Sequence, residues 1–310
     1  MTPDEKSRFF GIYAATVCPM QGEDAAIDEA ALAAHLAPLA KVDGLLGFLI
    51  NGHAGENFLL SDDEKRRVVE IARNVVGDRL IVAGVNQEES RAAAAEAESA
   101  MAAGADAIML FPPMSWALGH DREMVIRHHR IVDQATKAPL FLYQAPVGAG
   151  RMAYGPDVLE ALAGLAHVVG VKEGSWETAA YEANRRLIKD VAPDVGVMAS
   201  GDEHLLTCFM LGSEGSLVSL ACIWPEPIVR LDAAVRAGDL AAARAAHETI
   251  YPLARAIYGA PPGYRATARL KACLKLLGRL ADDRVRSPIE RLPAPEIERL
   301  RAVLKEVGLL

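Results

Sequence analysis

Short apolar runs alternate with longer stretches of mixed polarity along the 310 residues of the chain. The runs carry the period of strands and the stretches the period of helices. Residues 9–17 predict a strand closed by Cys18-Pro19, and residues 28–39 predict a helix with Leu32, Leu36 and Leu39 on one stripe. The same unit recurs: strand 44–50 with helix 61–76, strand 79–85 with helix 88–103, and strand 106–110 with helix 121–137. Strand 139–144 with helix 155–165, strand 167–172 with helix 177–191, and strand 195–199 with helix 202–211 continue it, and a last strand lies in 215–220. Ser61-Asp62-Asp63-Glu64 has the form of a capping box, which marks a helix start. Eight strands, each followed by a connection long enough for a right-handed crossover, predict an α/β fold of the (β/α)8 TIM-barrel type; an open doubly wound sheet is the structural alternative. After Pro225 the pattern is only helical, over 233–237, 240–257, 264–277 and 295–307. The expected organisation is a barrel over residues 1–224 with a C-terminal helical extension over 225–310.

The sixth run, His167-Val168-Val169-Gly170-Val171-Lys172, is rich in β-branched residues and ends on a lysine. Simple alternation places Val168, Gly170 and Lys172 on one face, with room beside Gly170. Burial disfavours an ammonium and leaves the neutral amine that Schiff-base chemistry with a carbonyl needs.

Composition acts mainly by exclusion. A hydrophobic share of 51%, a charged share of 24% and a net charge of −8 fit a globular protein without a nucleic-acid footprint. Cys18, Cys208, Cys222 and Cys273 show no disulfide-framework or zinc-like spacing, so reduced thiols in a cytoplasmic protein are expected. The charged residues after Met1 do not read as a secretory signal, and no apolar run is long enough to span a membrane.

In a barrel of this kind the chemistry sits where the strands end. Strand two runs into Asn51-Gly52-His53-Ala54-Gly55-Glu56, and the two glycines permit a tight turn with backbone N–H groups directed at a carboxylate. Strand five ends Tyr143-Gln144-Ala145-Pro146, one strand from Lys172. Strand seven runs into Ser200-Gly201-Asp202, and strand eight carries Gly212, Gly215 and Leu217. Gly52-His53-Ala54-Gly55-Glu56, Tyr143-Gln144-Ala145-Pro146 and Gly170-Val171-Lys172-Glu173, in this order, resemble the motifs of the dihydrodipicolinate synthase and N-acetylneuraminate lyase family of class I aldolase-type barrels. The resemblance runs from about Phe10 to about Pro225. It implies a Schiff-base lysine at Lys172, an acid–base tyrosine at Tyr143, no cofactor and a homotetramer. Substrate binding would fall to Gly52, Ala54, Gly201, Gly215 and Leu217.

The chain also departs from that family. Dihydrodipicolinate synthases carry two threonines where His53 and Ala54 stand, and an arginine where Gly148 stands. A neighbouring subunit's relay tyrosine would fall near Pro113 or Met114, and Cys18 replaces a threonine. The expectations that follow are His53 as a titrating relay in place of a hydroxyl, with an ionisation near neutrality, and Arg151 as a displaced substrate-binding arginine. The reading is a Schiff-base lyase, aldolase or dehydratase, acting on pyruvate or a related 2-oxo acid or sugar acid. Dihydrodipicolinate synthesis from pyruvate and aspartate semialdehyde is the alternative, as is a silent 2-oxo acid-binding barrel. A metal-dependent hydrolase is disfavoured because His128-His129 and the other histidines lack a ligand pattern. Trp116 and Trp224 are further candidates for recognising the substrate tail.

Overall fold

The computed structural model describes all 310 residues. Eight parallel strands close into a barrel: Ile12–Ala15, Leu45–Ile50, Leu80–Val85, Ala107–Leu110, Leu140–Gln144, Val168–Glu173, Gly196–Ala199 and Ser216–Val218. These are strands one to eight below. Strand eight returns to strand one with Ile12 opposite Ser216 and Tyr13 opposite Leu217, so no edge is left unpaired. The closed barrel, not the open sheet, is the fold.

The capping box read from the sequence does start a helix. Ser61 receives the Glu64 N–H on its hydroxyl at 3.3 Å, and the Glu64 carboxylate receives the Ser61 N–H at 2.8 Å, which starts the helix Asp62–Val76. Three features escaped the pattern. The helix Pro3–Ser7 and the antiparallel pair Met20–Gln21 and Ala26–Ile27 are too short to show a period. The helix expected at 233–237 spans Pro225–Arg236. Pro225 and Pro227 lie in its first turn, where a proline lacks only an N–H that has no helical partner anyway.

Simple alternation fails at one point in strand six. Leu140 pairs with Val168 but Phe141 pairs with Gly170, so Val169 is an extra residue in the ladder. Val168 therefore packs in the outer core between barrel and helices while Val169 packs inside. Gly170 and Lys172 stay on the inner face, but Val168 does not share it. The space at Gly170 is also filled. A β-carbon there would lie 2.6 Å from the Phe141 ring, so the glycine exists to admit that ring.

The inner core holds Tyr13, Leu49, Val82, Met109, Phe141, Met198 and Leu217 below the mouth. The outer core runs without a break from the barrel helices into the C-terminal ones, through Ile228, Leu253, Leu270 and Leu300. No helix is long and apolar enough to cross a membrane.

Candidate active site

Strand pairing sets the central geometry. Tyr143 on strand five and Lys172 on strand six are directly opposite in the ladder, and the Lys172 Nζ lies 5.7 Å from the centre of the Tyr143 ring. Met198 of strand seven flanks Lys172 on its other side. Neither the Lys172 Nζ nor the Tyr143 hydroxyl is hydrogen-bonded to another residue, and neither is among the fully enclosed unpartnered polar atoms, so both are open to a ligand. Lys172 is only 8% exposed. Burial pushes its amine down to about 8, against the opposing pull of Asp202. A lowered amine value leaves more of the neutral form at physiological pH, the form that can act as a nucleophile. Burial, aided by the charge of Glu173, raises the Tyr143 phenol above its ordinary value, so it holds its proton at neutral pH.

Glu173, next after the lysine, points away from the barrel interior and pins the strand end. Its carboxylate receives Asn184 Nδ2 at 2.8 Å and the Ser175 hydroxyl at 2.9 Å. Trp176 follows with φ +62°, a left-handed conformation that costs a bulky residue energy. Its ring lies 5.3 Å from that of Tyr258, which comes from the end of the C-terminal helix Leu240–Tyr258.

His53 does reach this place, among aromatic rings. Its ring stacks on Phe111 at 4.4 Å, lies 4.7 Å from Phe58, and meets Tyr143 edge-on at 5.2 Å. Burial, with Lys172 adding to it, pushes the imidazole down to about 3. That direction favours a neutral ring over the working range, against the ionisation near neutrality expected of a relay. Its ring makes no hydrogen bond to Tyr143.

The turn that carries His53 is a single 3-10 turn, His53–Gly55, closed by Gly55 N–H to the Gly52 carbonyl at 3.0 Å. The N–H groups of His53 and Ala54 stand at its start and have no partner in the chain. Two free donors at a turn start suit an anion.

Asp202 is the group the sequence motif contained without revealing its role. It is 2% exposed, one oxygen accepts the Leu220 N–H at 2.9 Å, and burial pushes its carboxyl up to about 7, with Lys172 opposing. Trp176 and Tyr258 carried no motif at all. The Tyr258 hydroxyl is enclosed without a hydrogen bond and its charge-sensitive environment includes Asp202.

The remaining candidates are distributed less favourably. Gly201 lies beside Asp202, and a β-carbon there would make only ordinary contact with His204. Gly215 is a packing glycine: a β-carbon would fall 2.0 Å from the Gly11 carbonyl of the segment before strand one. Leu217 is fully buried in the inner core opposite Tyr13. Arg151 is exposed on the turn Val147–Met152, and its carbonyl lies 2.6 Å from the His120 ring nitrogen. Trp116 is buried against His128, His129 and Tyr154, so its ring is not free for a substrate, and Trp224 packs, partly buried, on the outer core. His128 pairs with the Ser90 hydroxyl and His129 with the Val125 carbonyl. Cys18 is buried beside Glu56 and Lys271, where burial pushes its thiol up to about 12.

Carbonyl chemistry on a desolvated lysine at a barrel mouth belongs to class I, Schiff-base-forming lyases, and the chain is an enzyme of that class. More narrowly, it belongs to the dihydrodipicolinate synthetase family, whose sequence profile matches residues 8–307. The match takes in the C-terminal helices, which the motif resemblance ending near Pro225 left out. A 4-hydroxy-tetrahydrodipicolinate synthase of Nitrobacter hamburgensis is 30% identical over 98% of this chain and 99% of its own length. An uncharacterised DapA-like lyase of Halobacterium salinarum is 31% identical over 86% of this chain and 84% of its own. Among solved structures, a prophage protein of the dihydrodipicolinic acid synthase family from E. coli K12, in complex with pyruvate, superposes with a TM-score of 0.89 at 25% identity, covering 97% of this chain and 99% of that one.

Proposed function

We propose that this enzyme forms an imine between Lys172 and pyruvate or a related 2-oxo acid, then makes or breaks a carbon–carbon or carbon–oxygen bond at the adjacent carbon. The observation that carries the reading is the pairing of a lysine amine held near 8 with a protonated tyrosine across one ladder rung. The amine attacks the keto carbon, the carbinolamine loses water, and the protonated imine draws electrons from its neighbouring carbon. Tyr143 is the group beside this centre that delivers and recovers protons. The free N–H groups of His53 and Ala54 are the proposed hold on the carboxylate. The neutral His53 ring, stacked on Phe111, serves as a wall beside Tyr143 and not as a proton carrier.

Asp202 places a buried carboxyl near Lys172, and we take it as a polar partner for a substrate tail bearing hydroxyl groups, as in an aldol adduct or sugar acid. Gly148 offers no arginine for a second carboxylate, so aspartate semialdehyde is the less favoured partner. Met114, Leu118 and Val147 lie exposed on the packed loops after strands four and five, which supports assembly with further copies, for which we propose a homotetramer. The four cysteines are free and buried, in keeping with a cytoplasmic enzyme.

The test is incubation with pyruvate followed by borohydride and mass spectrometry. A reduced adduct on Lys172, absent from Lys172→Ala, is the expected result. No adduct at saturating pyruvate overturns the reading.

A further inference from the structure

The turn that offers the free N–H groups is held from the far end of the chain. Lys271, in the helix Ala266–Leu276, is wholly buried and its ammonium is ion-paired with the carboxylate of Glu56, the residue that closes the turn. The same ammonium donates to the Arg284 carbonyl at 2.8 Å, and the second Glu56 oxygen accepts the Arg286 N–H at 2.8 Å. Glu56 itself has φ +59°, a left-handed conformation that a non-glycine residue keeps only when its surroundings hold it. One turn earlier on the same helix, the Thr267 hydroxyl donates to the His53 carbonyl at 3.3 Å. The Arg286 guanidinium donates to the Leu59 carbonyl at 2.7 Å and to both Glu64 oxygens at 2.8 Å, which secures the chain leaving the turn.

A buried ion pair is a poor device for stability alone, because an apolar pair of similar volume serves as well or better. What this pair adds is direction. It fixes the carbonyl and N–H vectors of a turn whose strained end would relax without it. We propose that Lys271 and Glu56 are positioning residues for the turn Gly52–Gly55, so that the C-terminal extension sets how firmly the enzyme holds the carboxylate of its 2-oxo acid. The proposal rests on the carboxylate-binding role given to that turn under the proposed function.

The double variant Glu56→Gln with Lys271→Met removes both buried charges together, so that no buried charge is left unpaired. Its folding is read by circular dichroism. Imine formation at Lys172 is then titrated by borohydride trapping with pyruvate and, separately, with acetone, which has the carbonyl but no carboxylate. The expected result is a pyruvate midpoint raised by roughly 10-fold or more, as a turn displaced by a fraction of an ångström would produce, with acetone trapping unchanged. An unchanged pyruvate midpoint, or an equal loss with acetone, overturns the proposal, the second because it signals general collapse of the site. If the double variant does not fold, Thr267→Val keeps the ion pair and removes only the hydroxyl on the His53 carbonyl. It is expected to shift the pyruvate midpoint in the same direction, and an unchanged midpoint overturns the proposal. A wild type that traps neither compound removes the Schiff-base reading instead; the pyruvate Kd by calorimetry then decides the clamp, and an unchanged Kd in the variant overturns it.

Discussion

Asp202 lies buried in the neighbourhood of Lys172, and burial acts on the two in opposite senses, pushing the amine down to about 8 and the carboxyl up to about 7. Each charge also favours the charged form of the other.

The first prediction concerns pH. Because the folded chain lowers the Lys172 value, the reactive neutral amine grows as pH rises toward and through about 8, and imine formation with pyruvate should rise over that range and then level. His53, at about 3, is neutral throughout and should leave this limb intact when changed to Gln. Stopped-flow pH–rate profiles of the two proteins check it, and a limb that vanishes in His53→Gln would restore the imidazole as a titrating relay.

Asp202→Asn tests the partnership from the other side. Loss of a negative charge removes support for the ammonium, so the Lys172 limb should move to lower pH. A limb that stays in place or moves upward contradicts the coupling. The sign follows from the direction of the Asp202 influence, which raises the lysine value.

Tyr143→Phe keeps the ring that packs against Phe111 at 4.8 Å and removes only the phenol. Imine trapping should survive while turnover falls by a factor of ~10²–10⁴, the usual worth of a positioned proton donor. Turnover equal to wild type would remove the acid–base role.

Gly170→Ala probes the inner core. The new methyl would meet the Phe141 ring at 2.6 Å and the Gly196 carbonyl at 3.3 Å, in a place where neither can withdraw freely. Overpacking of this kind costs roughly 1–3 kcal/mol, visible as a lower urea midpoint with an unchanged slope.

Condensation of pyruvate with aspartate semialdehyde should be weak. Lost charge-assisted hydrogen bonds to a second carboxylate cost about 1.5–3 kcal/mol, or roughly 10–100-fold in kcat/KM, against a comparison enzyme that has the arginine. Introducing Gly148→Arg should recover part of that difference, and efficient condensation by the unaltered chain contradicts the prediction.

Residue pattern alone was enough for the eight-fold alternation of strands and helices, for a lysine at the end of an apolar strand, and for a tyrosine one strand away. These depend on periodicity and on neighbours in the chain, which the order of residues states directly. Tertiary structure decided the rest. The extra residue at Val169 moves Val168 to the outer core, because ladder register depends on the partner strand as well as on alternation. His53 occupies the expected place, but Phe58, Phe111 and Tyr143 pack around it, and desolvation disfavours its charged form. Trp176 and Tyr258, and likewise Glu56 and Lys271, are far apart in the chain and carry no local signal of their meeting. Only packing the C-terminal helices onto the barrel brings them together, since burial and charge pairing are properties of the closed fold and not of any one segment.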